Sequence, residues 1–128
     1  MSEEGKNGPP APGSPSPSQP VLMSIDDFRK LSLRDGVVTA AQDHPNADRL
    51  LVLTVDVGEG PPRQLVAGIK GSYQASDVIG KQVVVVTNLK PATLRGVESQ
   101  GMVLATSDES SIVLVSPERP IRVGSTVK

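Results

Sequence analysis

The residues best suited to bind a charged or polar ligand are concentrated in "NLKPATLRGVESQGM", from Asn88 to Met102. This segment follows directly on "QVVVV", the most hydrophobic stretch of the chain, so it emerges where a buried strand ends. Its Pro91 cannot donate a ladder hydrogen bond, and Gly96 and Gly101 suit a bulge or a close backbone approach. The pattern predicts a rigid platform that presents Asn, Lys, Arg, Ser and Gln side chains.

These side chains are the groups that bind the phosphates, ribose hydroxyls and base edges of RNA. They are also the side chains of an ordinary solvated surface loop. The residue types alone therefore leave both interpretations open, and the fold has to decide whether the groups are held in register on one face.

A second polar motif, "HPNADRL", occupies residues 44–50 between two predicted strands. Its proline favours an extended residue before it, and Asn46 and Asp48 are types whose side chains satisfy backbone donors in turns. The motif therefore predicts a structural loop. The functional alternative is that Arg49, together with His44, contacts a phosphate.

Composition excludes several classes of function. The 128 residues include 13 basic and 14 acidic side chains, no cysteine and a single histidine, for a net charge of -1. Cysteine chemistry and a histidine-based metal or catalytic cluster are excluded, so we expect no enzyme, no metal and no cofactor. Nucleic acid cannot be bound by bulk charge, and at 2% aromatic residues a base-stacking groove is not expected either. Any RNA binding must depend on the local placement of cations.

The chain shows no membrane span and no targeting segment. It has no apolar run of about 18 residues, and its start, "MSEEGKNGPP", lacks the apolar stretch of a secretory signal. The absence of cysteine is compatible with a reducing compartment. We therefore expect a cytoplasmic protein.

The first 20 residues are rich in Pro, Gly and Ser and contain no valine, leucine or isoleucine. Such a sequence cannot bury enough apolar surface to offset the entropy of ordering it. We predict a disordered tail over residues 1–24 and a folded domain over residues 25–128. The domain opens with a short helix, because Ser24 can cap a first turn that contains Asp26 and Asp27.

The rest of the domain is dominated by strand patterns. Five or six short apolar runs are separated by turn residues: "GVVTAAQ", "LLVLTVDVG", "RQLVAGI", "KQVVVVTNL", "GMVLATS" and "SIVLVS". In about 100 residues this order favours an all-β, five-stranded oligonucleotide-binding barrel with short helices and a C-terminal extension. An immunoglobulin-like sandwich is the weaker alternative, because the chain has neither a cysteine pair nor a tryptophan.

Three ordered motifs resemble a known family: "HPNADRLLVLTVDVGE", "RQLVAGI" and "GKQVVVVTNLKPATLRGVESQGMVLA". The family is the tRNA-binding domain found at the C-terminus of bacterial methionyl-tRNA synthetases and as free-standing structure-specific tRNA-binding proteins. A related module closes the human endothelial-monocyte-activating cytokine precursor. The resemblance covers Ile25 to Lys128 and implies a barrel that grips the elbow, or outer corner, of tRNA without regard to the anticodon.

The resemblance also implies that much of the RNA contact comes from the segment after the buried strand. We transfer this role to the positions at which the sequence matches the motif: Asn88, Lys90, Arg95, Ser99 and Met102. Gln100 is added as a further hydrogen-bonding group, and Arg49 as an additional phosphate contact. One departure stands out: "LRDGVV" places Asp35 where the family has an apolar residue and Val37 where a cation is common. We expect this change to remove a phosphate contact and to add an acidic group nearby.

The resemblance implies partners as well. Related bacterial proteins dimerise through elements on the C-terminal side, so a homodimer through "SIVLVSPERPIRVGSTVK" is expected. The chain would supply tRNA affinity to a methionyl-tRNA synthetase catalytic subunit, in trans or as its C-terminal domain. The competing interpretation is a chaperone-like or protein-interaction module, since bacterial secretion chaperones use a similar barrel. Competition between total tRNA and an unfolded polypeptide distinguishes the two.

Overall fold

The structure, a computed structural model, describes residues 21–128. The predicted tail therefore lies outside the described residues except for residues 21–24, which have no regular secondary structure. The chain divides between Lys30 and Leu31 into two compact units. Helix α1 belongs to the first unit, and every strand belongs to the second.

Helix α1 (Ile25–Phe28) is a single turn that begins where the capping residues predict. The backbone N–H of Asp27 donates a 3.0 Å hydrogen bond to the Ser24 hydroxyl oxygen. Asp26 and Asp27 place negative charge in this first turn, which the exposed N–H groups favour. The predicted cap is confirmed.

The second unit consists of ten strands and one further short helix, α2 (Ala75–Val78). The strands are β1 (Leu33–Asp43), β2 (Leu51–Asp56), β3 (Arg63–Ala67), β4 (Gln82–Val86), β5 (Ala92–Leu94), β6 (Val97–Ser99), β7 (Met102–Val103), β8 (Ala105–Ser107), β9 (Ile112–Leu114) and β10 (Thr126–Val127). β5 pairs with β6, and β8 pairs with β9, each as a separate hairpin.

The main sheet is antiparallel and runs β3-β2-β1-β4-β7, with β10 paired to the start of β1. β1 changes partner along its length, from β4 to β2, and a register shift between Val38 and Ala40 accompanies the change. Such a bulge bends a strand and increases its twist. The two ends of the strand order, β3 and the segment that leads into β7, come together. The Gln100 N–H, just before β7, donates a 2.8 Å hydrogen bond to the Gln64 carbonyl on β3. The all-β prediction is confirmed as a nearly closed barrel rather than a sandwich.

The barrel interior is filled by the valine and leucine runs that predicted the strands. Leu51, Leu53, Val55 and Val57 are fully buried, as their shared face predicted. All four valines of "QVVVV" are buried as well. Each such side chain contributes about 1.5–3 kcal/mol of transfer free energy. The polar residues that follow β4 are thus attached to a buried strand.

The C-terminal extension, residues 115–128 after β9, is hydrogen-bonded to the barrel through Gln82. The Ile121 N–H donates to the Gln82 side-chain oxygen at 3.0 Å, and Gln82 Nε2 donates back to the Ile121 carbonyl at 2.6 Å. Gly58 and Gly124, both at positive φ, touch here; a Cβ on Gly58 would lie 2.6 Å from the Gly124 Cα. The extension borders a C-terminal groove of about 430 Å³, lined by Val84 and by residues 35, 115–117, 121 and 125–128.

Asp35 does not expose its carboxylate in the way that the sequence suggested. Its side chain is 2% exposed, and Oδ2 accepts a 3.0 Å hydrogen bond from Gln82 Nε2. The neighbouring turn at Gly124 also donates its N–H to the Asp35 carbonyl at 2.8 Å. Asp35 pairs with Val84 and is covered by the C-terminal segment around Gly124 and Ser125, so it adds no acidic group to the solvated surface.

Candidate nucleic-acid interface

Residues 88–102, the polar strip, are built around the β5–β6 hairpin. Leu94 pairs with Val97 across a two-residue turn in which both Arg95 and Gly96 have positive φ, at 54° and 91°. Two positive φ values give a tight hairpin turn that favours Asn or Gly at both positions. An arginine costs about 1 kcal/mol in this conformation. The fold accepts this strain and presents an exposed cation at the hairpin tip.

The "HPNADRL" loop is hydrogen-bonded to this hairpin through His44 and Asn46. His44 is buried; its Nδ1 accepts a 2.9 Å hydrogen bond from the Asn46 N–H, so Nε2 carries the hydrogen of the neutral ring. That N–H donates to the Leu94 carbonyl at 2.9 Å, and Asn46 Nδ2 donates to the Arg95 carbonyl at 3.2 Å. The motif forms a loop, as its structural interpretation predicts, and both His44 ring nitrogens are engaged within the protein.

The other end of the polar strip is attached to β3. Ser99 is 4% exposed; its hydroxyl oxygen accepts from the Val66 N–H at 3.0 Å and its proton is donated to the Gly101 carbonyl at 2.9 Å. Gln100 is exposed, but its side-chain oxygen accepts a 3.0 Å hydrogen bond from the Gln64 N–H. These two polar side chains close the barrel edge rather than project from it.

Besides Gln100, four members of the predicted set are exposed on the polar strip: Asn88, Lys90, Arg95 and Met102. Asn88 is oriented by the Ser32 N–H, which donates to its Oδ1 at 2.9 Å. Met102 lies in β7 opposite Val86 and is 46% exposed. The side chains predicted to meet RNA thus fall into an exposed group and an anchoring group.

Sequence reasoning missed two apolar members of this surface. Leu89 and Leu94 are 42% and 40% exposed. Each is next to a predicted contact residue in the sequence: Leu89 precedes Lys90, and Leu94 precedes Arg95. The signal was present in "NLK" and "TLR", where a leucine stands beside a cation in a segment too polar to form a core. Nucleic-acid interfaces use such apolar contacts against base faces.

Arg49 lies elsewhere. It is exposed and lines a depression of about 250 Å³ together with Ser72 and residues 108–112. No residue of the polar strip lines that depression, and Asp108 and Glu109 give it acidic neighbours. The structure therefore does not bring Arg49 together with the other predicted contacts in one depression.

A larger opening adjoins the polar strip. We call it the proline cleft; it measures about 560 Å³ and is lined by Glu59, Gly60, Pro61, Pro62, Arg63, Leu89, Pro91 and Gln100. Arg63 is fixed at its edge, because its Nη1 donates to the Thr87 carbonyl at 2.6 Å and to the Gln100 carbonyl at 3.2 Å. The sequence "GEGPP" indicated only a turn, so this cleft was not predicted.

Residues 21–128 contain neither a cluster of metal-binding side chains nor a membrane-spanning helix. No three His, Asp or Glu side chains in this part of the chain are grouped so that they could hold a metal ion. No helix in the same residues is long and apolar enough to cross a membrane.

Comparison with known proteins defines the class. A family described as "Putative tRNA binding domain" matches residues 33–126, and the chain belongs to that family. Methionine–tRNA ligase of Methanococcus aeolicus is 52% identical over 106 residues, which are 83% of this chain and 16% of that protein. The chain thus spans about a sixth of the ligase, and the matched part is its tRNA-binding domain, not its catalytic region.

Solved structures agree with this assignment. The MetRS-related protein of Pyrococcus horikoshii is 32% identical with a TM-score of 0.78, over 84% of this chain and 99% of that one. Chaperone CsaA of Bacillus anthracis is 31% identical with a TM-score of 0.76, over 84% of this chain and 100% of that one. The barrel is thus shared by proteins whose names point to two different activities.

Proposed function

We propose that the chain is a non-catalytic tRNA-binding module that recognises the folded shape of tRNA at its elbow, or outer corner. An oligonucleotide-binding barrel would serve as the rigid support. The observation that carries the proposal is the pair of buried anchors, His44 and Ser99, which hold the polar strip in one orientation. A preformed surface loses little entropy on binding, so few contacts suffice for recognition.

The contacts divide by exposure. Lys90 and Arg95 would bind phosphates, and Asn88 would donate a hydrogen bond. The exposed Met102 would pack against a sugar or base face. Ser99 and Gln100 act mainly by positioning, because the Ser99 hydroxyl and the Gln100 side-chain oxygen are engaged within the barrel. Arg49 would add a phosphate contact only if the RNA extends to its separate depression.

Binding should be weakly salt-dependent for an RNA-binding protein. Each phosphate contacted contributes about -0.7 to -0.9 to the slope of log affinity against log salt. Two or three exposed cations would therefore give a total slope of about -2. The net charge of -1 is consistent with recognition by geometry rather than by bulk attraction.

The biological setting that fits best is the charging of tRNA with methionine in the cytoplasm. The chain would act as the C-terminal domain or a separate subunit of methionyl-tRNA synthetase, or in trans to it. Tethering a weak tRNA-binding site to a catalytic subunit raises the effective tRNA concentration there. The similarity to the tRNA-binding part of a methionine–tRNA ligase supports this setting.

A homodimer would present two such surfaces. The C-terminal groove supports this proposal, because Val115 and Ile121 beside it are exposed apolar side chains. Paired C-terminal segments would cover this apolar surface. The mass in solution would fall to that of a monomer in an Ile121→Asp variant if this segment forms the interface.

The proposed function is tested by the affinity for tRNA of a Lys90→Ala variant. Removing one exposed charged hydrogen-bond donor should weaken binding by about 1 kcal/mol, with thermal stability unchanged. Lys81→Ala is the matched control, because Lys81 is exposed at the other end of β4. Fluorescence anisotropy with labelled total tRNA at low salt gives the comparison.

Two results would overturn the proposal. One is equal affinity for the Lys90 and Lys81 variants, because the polar strip would then not be the contact surface. The other is equal binding by the parent chain of intact tRNA and of an unstructured RNA of the same length. Shape recognition requires a preference for the folded molecule.

A second candidate function is binding of unfolded polypeptide. It is favoured by the similarity to chaperone CsaA, which extends over the whole of that chain. A tRNA-binding module should release labelled tRNA to unlabelled tRNA and keep it against an excess of reduced, unfolded protein. Displacement by the unfolded protein alone would favour the chaperone-like function.

A further inference from the structure

The proline cleft has the properties of a site for one nucleotide. We propose that it binds a single unstacked nucleotide of the RNA and prefers guanine as the base. This inference rests on the proposed function and deepens it, because it adds base recognition to a surface otherwise built for backbone contact. Three observations carry it: the size of the cleft, its walls and its one acidic side chain.

The size suits one small ligand. Binding sites for small organic molecules usually enclose about 300–1,000 Å³. The proline cleft, at about 560 Å³, falls within that range and is open to solvent on one side. A base swung out of its stack could enter while its backbone stays outside.

The walls suit the faces of a base. Pro61, Pro62, Pro91 and Leu89 give the cleft an apolar lining, and Arg63 adds a planar guanidinium group. Unstacked bases are commonly held against apolar or guanidinium planes. Arg63 is already oriented, because the Thr87 and Gln100 carbonyls accept hydrogen bonds from its Nη1. The guanidinium would therefore meet a base without being reordered.

The acidic residue gives the choice of base. An ionised carboxylate only accepts hydrogen bonds, so Glu59 favours a base edge that carries donors. Guanine presents two adjacent donors on its Watson–Crick edge, whereas uracil presents one. Glu59 forms an ion pair with Arg34, with 3.7 Å between Oε2 and Nε. Because this distance is too long for a hydrogen bond, the carboxylate oxygens can still accept from a base.

The backbone of the same nucleotide also has a partner. Lys90 is exposed and stands in the chain between Leu89 and Pro91, which both line the cleft. In the proposed arrangement, its ammonium group binds a phosphate at the cleft mouth while the base is inside. This arrangement joins base recognition to a cation that the proposed function already uses.

The decisive test uses the same substitution at two acidic residues. Glu59→Gln removes the carboxylate that accepts from the base, so tRNA affinity should fall about threefold. Glu118→Gln is the matched control: Glu118 is exposed, lies outside the polar strip and does not line the cleft. Removing that negative charge should leave affinity equal or slightly higher. If both variants bind tRNA as tightly as the parent or more tightly, the cleft proposal is overturned, while the proposed function stands.

A direct test uses mononucleotides. Guanosine monophosphate added to the isotope-labelled chain should shift the backbone amide resonances of Arg63, Leu89 and Gln100. Uridine monophosphate should need about threefold more ligand for the same shifts, and a Leu89→Ala variant should respond less to both. Absent or equal shifts overturn the proposal. If the parent chain failed to prefer tRNA, the proposed function would fall, and the guanosine shifts would still decide the cleft.

Discussion

The polar strip and the C-terminal groove lie on one barrel but satisfy their buried polar groups differently. Beneath the polar strip, His44 and Ser99 each use both a donor and an acceptor within the protein. Next to the C-terminal groove, Asp35 is buried with Oδ1 lacking a hydrogen-bond partner in the described residues. Arg34 Nε, on the same strand, is also buried and lacks a hydrogen-bond partner in the described residues.

The difference shows where this fold is rigid and where it is under strain. A fully satisfied buried network fixes one arrangement, because every alternative leaves a donor or acceptor unpaired. A buried acceptor without a partner has the opposite effect and lowers stability. The surface proposed to bind RNA has the first kind of support. The unsatisfied buried atoms lie in β1, at Arg34 and Asp35.

The strongest test of this comparison is Ser99→Ala. It leaves the Val66 N–H and the Gly101 carbonyl without their partner, so the free energy of unfolding should fall by about 2 kcal/mol. Denaturant titration measures this change, and Ser107→Ala, at an exposed position of β8, is the control. A loss no larger than that of the control would mean that the Ser99 hydroxyl does not support the polar strip.

Asp35→Val should have the opposite sign. It removes the unsatisfied oxygen, while Gln82 Nε2 keeps its 2.6 Å hydrogen bond to the Ile121 carbonyl. The free energy of unfolding should therefore rise by about 1 kcal/mol at pH 7. Valine also suits a strand better than aspartate. A less stable variant at pH 7 would show that the carboxylate helps to hold the C-terminal extension.

The pH dependence of the same pair gives an independent check. Burial raises the pKa of the Asp35 carboxyl above its ordinary value of 3.8. The group therefore contributes its stability below pH 3.8, when it is protonated, and that contribution is lost as pH rises through the raised pKa. The advantage of the valine variant should be larger at pH 7 than at pH 3.5. Parallel unfolding curves at the two pH values measure the difference.

The smallest expected effect tests the hairpin tip. Asparagine adopts positive φ more readily than arginine, so Arg95→Asn should raise the free energy of unfolding by about 0.5 kcal/mol. It should also weaken tRNA binding by about 1 kcal/mol, because a cation is lost. Arg119→Asn, at an exposed position of the C-terminal extension, should change neither quantity. A stabilised variant that binds tRNA normally would separate the strained turn from RNA recognition.

Local patterns predicted much of the fold. The alternating leucines and valines of β2 and the run "QVVVV" identified buried strands, because buried strand positions are occupied by apolar residues. Ser24 likewise predicted the start of α1 from its residue type and the acidic residues that follow it. The number and spacing of these strand patterns favoured a small barrel, and the resemblance to a tRNA-binding family supported the same fold.

The orientation of individual polar side chains was not predictable. Ser99 has the same residue type whether it faces RNA or the backbone of Val66, 33 positions away in the chain. The proline cleft likewise forms only when barrel closure brings Glu59 and Pro61 beside Leu89. Pairings of this kind depend on strand register across the sheet, which no short window of sequence contains.

The hydrogen bond between His44 and the Leu94 carbonyl has a consequence for protein engineering. It joins positions 50 residues apart, so the orientation of the β5–β6 hairpin depends on a loop that is distant in the sequence. If the hairpin alone were moved to another scaffold, its hydrogen-bond donors would be present but would no longer be held in their present orientation. A functional graft would have to include both segments and the imidazole that links them.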